Sequence, residues 1–138
     1  MKTTKASRYH TQWAAQFYIA AELTRRGYLI ALTLGNAPRT DIIATRPPGI
    51  SFRVECKGTR TKGTWLFKCD KPEKNLFFVF VYIPKKDIPP QYFILDSKEA
   101  FRILVKYRES HPNQKPGWSS CNWGDIASFE DKWDKLPE

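Results

Sequence analysis

Asp41, Glu55 and Lys57 are the residues of this sequence whose types and spacing suit a chemical centre. Thirteen residues separate the two acids, and a lysine follows the second acid two places on. Two carboxylates with open water positions suit a hard cation such as Mg²⁺, which prefers oxygen ligands and keeps some of its waters. A lysine beside them can orient a water or help to stabilise charge on a phosphate. Taken alone, E-x-K in a strand is more often a solvent-facing ion pair, so the position of Asp41 decides between the two readings.

That position depends on the elements around it. Residues 51–57 (SFRVECK) read as a strand in which Phe52, Val54 and Cys56 face one way and Arg53, Glu55 and Lys57 the other. Residues 41–45 (DIIAT) read as the preceding strand, joined to it by the tight connection Arg46-Pro47-Pro48-Gly49. So short a connection makes the two strands antiparallel neighbours. Asp41 then meets Glu55 and Lys57 at one edge of a sheet.

Upstream, residues 7–26 read as a helix, with Trp13, Phe17 and Ala21 recurring at i, i+4 and Gly27 placed as a C-cap glycine. A strand over 28–34 (YLIALTL) and a turn at Gly35-Asn36-Ala37-Pro38 follow. Downstream, 58–63 (GTRTKG) reads as a basic flexible loop and 65–67 as a short strand. The almost wholly apolar 76–83 (LFFVFVYI) has the pattern of a strand covered on both faces. A strand over 92–95 leads to a helix capped by Asp96 or Ser97, with Glu99 in its first turn, running to about Ser110. Residues 111–120 read as a loop, and 125–136 as one or two short helices anchored by Trp133 and Leu136. The order is that of an α/β fold, a mixed central sheet flanked by helices.

Composition narrows the class. A chain of 138 residues suits one domain spanning 1–138 with a core that needs no disulfides. Three cysteines without CxxC spacing provide neither a disulfide framework nor a structural zinc site, and Cys56 reads as a small core residue. Two histidines, His10 and His111, are too few and too scattered to suggest a His-based metal site. No apolar run approaches the roughly 20 residues of a membrane span, and the basic N-terminus lacks a signal peptide's apolar segment. A cytoplasmic location with no membrane partner is expected. The balance of 23 Lys+Arg against 14 Asp+Glu, net +9, points to a polyanionic partner.

The pattern Asp41, thirteen residues, then Glu55-Cys56-Lys57, preceded by a helix ending LTRRGY, the strand YLIALTL and the turn GNAPRTD, resembles the PD-(D/E)XK nuclease superfamily. The order is similar to that of small restriction-endonuclease-like and Holliday-junction-resolvase-like members, and the tail FEDKWDKL is similar to those of small members. Thr40 stands where the motif is usually written with Pro. The resemblance implies a restriction-endonuclease-like fold. It also implies an endonuclease that binds Mg²⁺ (Mn²⁺ can substitute) through Asp41 and Glu55, with Lys57 positioning the attacking water. The implied partner is nucleic acid, DNA rather than RNA, and the chain is expected to act as a homodimer or within a larger nuclease complex. There is one departure. Many members carry a further acid on the first helix, where this chain has Gln16, seven residues before Leu23 on the face of Ala20 and Leu23. That favours one metal over two and gives Gln16 a supporting role, through its carbonyl or its amide.

Arg39, Arg60, Lys62 and Lys68 flank these residues in sequence and are candidates for phosphate contacts, with Trp65 a candidate for stacking on a base. Two other readings keep the fold and drop the activity. One is a catalytically weak or inactive nucleic-acid-binding module acting with a partner protein. The other is an interaction protein with no nucleic-acid partner.

Overall fold

The run LFFVFVY forms a strand in which six of seven residues are buried. Phe77, Val79 and Val81 enter one core, and Phe78 and Phe80 enter a second on the opposite face. The computed structural model describes residues 4–34, 39–115 and 118–138. Their order is α1 (Lys5–Arg25), β1 (Leu29–Leu32), β2 (Ile42–Thr45), β3 (Ser51–Thr59), β4 (Trp65–Lys68), β5 (Leu76–Tyr82), β6 (Gln91–Asp96), α2 (Ser97–Ser110), β7 (Trp118–Cys121) and α3 (Trp123–Ile126), then two single 3₁₀ turns. The turn expected at 35–38 lies outside the described residues.

The main sheet has the order β1-β2-β3-β5-β6. β3 and β5 run parallel, and the other neighbours are antiparallel. This is the mixed α/β architecture expected. One face is covered by α1 and the C-terminal anchors Trp133 and Leu136, the other by α2, α3 and a two-stranded sheet of β4 and β7. Asp96 caps α2 in a reciprocal capping box with Glu99. Gly27, at φ 94°, ends α1 in the left-handed region that favours glycine.

Two expectations about the elements are corrected. The buried face of α1 is Ala15, Gln16, Ile19, Ala20 and Leu23, which includes the expected face of Gln16, Ala20 and Leu23, while Trp13, Phe17 and Ala21 lie off it. The helix crosses β3 so closely that a Cβ on Gly58 would stand 2.6 Å from the Ala15 Cβ. An aromatic side chain has no room at that crossing. For the same reason Gly58 and Thr59 are not flexible loop but the end of β3, held against α1. Within 111–120, expected as loop, Trp118–Cys121 is a strand, because β4 offers it an open ladder. No described helix is long and apolar enough to cross a membrane.

Candidate active site

Register brings the two acids together. Ile42 pairs with Val54, and one further step sets Asp41 opposite Glu55. The site is not at a lateral edge of the sheet, as the sequence led us to expect. It lies at a strand end in the middle of the sheet, with β1 and β2 on one side and β5 and β6 on the other. There β2 stops while β3 continues to Thr59.

The continuation leaves main-chain groups of β3 without a β2 partner, and side chains replace it. The Asp41 carboxylate accepts from the Cys56 N–H at 2.8 Å, and the Gln12 amide donates to the Cys56 carbonyl at 3.2 Å. Asp41 is itself fixed by its main chain. Its N–H donates to Val54 O at 2.9 Å, and its carbonyl accepts from Thr33 N–H and from the Gln16 amide, each at 2.9 Å.

Gln16 is buried, and its Nε2 donates to both the Thr33 and the Asp41 carbonyls. It is therefore a positioning residue that holds the Asp41 backbone through its amide. Gln12 was missed from sequence, although it sits one helical turn before Gln16 on the same face.

Glu55 is 7% exposed. Its Oε1 accepts from Lys57 Nζ at 3.1 Å, while its Oε2 is buried without a hydrogen-bond partner among the described residues. Burial pushes its carboxyl above the usual glutamate range; Lys57 pulls it back, and the nearby Asp41 charge pushes it up again. A pair of this kind contributes at most about 1 kcal/mol, whereas a buried polar atom left unsatisfied costs about 1–3 kcal/mol. The arrangement is therefore not optimised for stability of the metal-free chain. An orphaned buried carboxylate oxygen beside a second carboxylate is a donor set that fits a hard cation. Among the described residues no group of three or more His, Cys, Asp or Glu side chains is placed to hold a metal, so the set is the pair Asp41 and Glu55.

The expected binding residues separate. Arg39 is ion-paired with Asp70 and Glu73, and Arg53 with Glu73. Neither acid was singled out from sequence, because both fall in a stretch (KCDKPEK) that reads as a surface turn. Trp65 does not stack on a base: it is 2% exposed, donates to Val81 O and packs on Phe80, Phe93 and Trp123. Lys62 lies over the Tyr82 and Trp123 rings and Lys68 over Trp118. Arg60 is exposed beside Lys57, on a groove of about 560 Å³ between the start of α1 and the β3–β4 connection. The three cysteines are buried and unpaired, and Cys56 is a core residue.

No family model matches this sequence, and no curated protein matches it by sequence. By structure the chain is similar to a bacterial homing endonuclease, I-Ssp6803I, with a TM-score of 0.56 and 10% identity over 93% of this chain and 90% of that one. The fold is nuclease-like.

Proposed function

We propose that the chain is a metal-dependent nuclease that hydrolyses phosphodiester bonds in DNA. The observation that carries this is the buried Glu55 Oε2, unpartnered, beside Asp41 and Lys57 in a fold shared with an endonuclease. Asp41 and Glu55 would hold Mg²⁺ or Mn²⁺. The ion, when bound, supplies charge neutralisation at the phosphate and at the leaving oxygen.

The chain's own residues do the rest. β3 carries Glu55 and Lys57 on one face, so the carboxylate and the ammonium converge without any loop movement. Lys57 keeps its ammonium on Glu55 and, 28% exposed, reaches solvent where a water can be oriented for attack. In the hydrolysis the water oxygen bonds to phosphorus and gives up a proton, the bond to the leaving sugar oxygen breaks, and that oxygen takes up a proton, so that one water is added across the P–O bond. Gln16 and the Cys56 N–H hold Asp41 in place throughout.

The test is cleavage of plasmid and linear DNA in Mg²⁺ or Mn²⁺ against EDTA, with Asp41→Asn, Glu55→Gln and Lys57→Gln. Each variant is expected to abolish cleavage. Undiminished cleavage by any of them overturns the assignment. Metal-independent binding by the wild-type chain, without cleavage under either ion, would make it a nucleic-acid-binding module.

A further inference from the structure

Cations around Asp41 and Glu55 fall into two groups. On the β2 side, the guanidinium groups of Arg39 and Arg53 are neutralised by Asp70 and Glu73. On the other side is the groove of about 560 Å³ already described. Lys57 lines it and touches Glu55, so its inner end opens on the candidate active site. Arg8, from the first turn of α1, and Arg60, just past the end of β3, line it as well, and both are exposed. Neither makes an ion pair among the described residues, and no acidic residue lines the groove. Ser7 and Thr64 add hydroxyls to its wall, and its floor includes the bare backbone of Gly58. Two guanidinium groups without an acidic partner among the described residues, beside the Glu55-paired Lys57, converge on one groove and make a site for successive anions. The volume lies within the roughly 300–1,000 Å³ of small-molecule sites, which is room for one sugar–phosphate strand at a time.

We propose that this groove is a phosphate-backbone subsite. It grips one sugar–phosphate strand of the nucleic acid as that strand leaves the active site, with Arg8 and Arg60 each engaging a phosphate. The inference rests on the nuclease reading and adds a direction to it: the strand runs past Arg8 and Arg60, not past Arg39. Guanidinium forks suit phosphate oxygens bidentately. Backbone contacts position nucleic acid without reading its sequence, so the subsite is indifferent to base identity.

The experiment measures binding of labelled duplex DNA by the full-length chain carrying Glu55→Gln, in EDTA, across a salt series. Adding Arg8→Gln or Arg60→Gln is expected to weaken binding several-fold at low salt and to flatten the plot of log affinity against log salt by about 0.9 each. Arg60→Lys is expected to keep the slope, as is Lys106→Gln, which removes the same charge from the remote surface of α2. The losses are expected to be equal on two unrelated sequences. An unchanged slope in the Arg8→Gln/Arg60→Gln double variant overturns the subsite while leaving the nuclease reading intact, and so does a loss confined to one sequence. Absence of binding by the Glu55→Gln chain, together with absence of cleavage by the wild type in Mg²⁺ and Mn²⁺, overturns both.

Discussion

Replacing Glu55 by glutamine keeps the side-chain volume and removes the charge. In the metal-free chain that charge is a burden. Oε2 is buried without a partner, an arrangement that costs about 1–3 kcal/mol. The Lys57 contact on Oε1 returns about 1 kcal/mol at most. Glu55→Gln should therefore leave the metal-free protein at least as stable as wild type at pH 7, with a gain of up to about 2 kcal/mol. Metal reverses the order. At ten times its dissociation constant an ion bound only by the folded state adds about 1.4 kcal/mol, or a rise in Tm of roughly 5 °C for a chain of this size. The variant has lost one of two anionic ligands and should shift by less than about 1 °C. pH gives a second reading of the same group. Burial raises the folded-state value of Glu55, so its contribution to stability is fully present below the ordinary glutamate range. That contribution is lost as pH rises through the raised value, and Glu55→Gln should remove this decline. The assay is thermal unfolding of both proteins with EDTA and with increasing Mg²⁺, repeated from acid to neutral pH. An equal Mg²⁺-dependent rise in both proteins would refute the metal assignment. A metal-free variant destabilised by more than about 2 kcal/mol would show that the Glu55–Lys57 pair serves the fold.

Trp65→Ala should cost about 3–5 kcal/mol in urea unfolding; weaker DNA binding at unchanged stability would restore the base-stacking role. Gly58→Ala places a Cβ 2.6 Å from the Ala15 Cβ and 3.3 Å from Thr11 O. It should lower stability by about 1–3 kcal/mol, and calorimetry showing no loss would contradict so close a crossing. Gln16→Glu should slow cleavage, because an ionised carboxylate cannot donate to the Thr33 and Asp41 carbonyls; faster cleavage would show the site lacks a ligand there. Burial pushes the Cys69 thiol up to about 11, the Cys121 thiol up to about 12 and Cys56 well above its usual value. None of the three should react with a thiol reagent at pH 8 until the protein is unfolded, and rapid labelling of the native chain would contradict their burial.

Much of the fold was legible where local pattern and tertiary role coincide. The apolar run of β5, the capped start of α2 and the Trp133 and Leu136 anchors each follow from side chains acting over a few residues. Pattern failed where two solutions satisfy it equally. Helix α1 carries one i, i+4 series through Trp13, Phe17 and Ala21 and another through Ala15, Ile19 and Leu23. Periodicity cannot choose between them, and the contact with Gly58 does. Strand β7 (WSSC) has little β-propensity of its own and exists because β4 pairs with it.

The candidate site divides in the same way. The sequence by itself determined that Asp41, Glu55 and Lys57 meet, because side-chain alternation and a short connection between adjacent strands leave one antiparallel register that buries Ile42 and Val54 together. Only the tertiary structure decided which oxygen of Glu55 is left unpartnered, that Gln16 acts on the Asp41 backbone, and which cations near the site are paired with acids among the described residues. Those outcomes depend on contacts between elements far apart in the chain, such as Gln16 with Asp41 and Arg39 with Asp70. Desolvation and charge pairing act through space, so no local spacing encodes them.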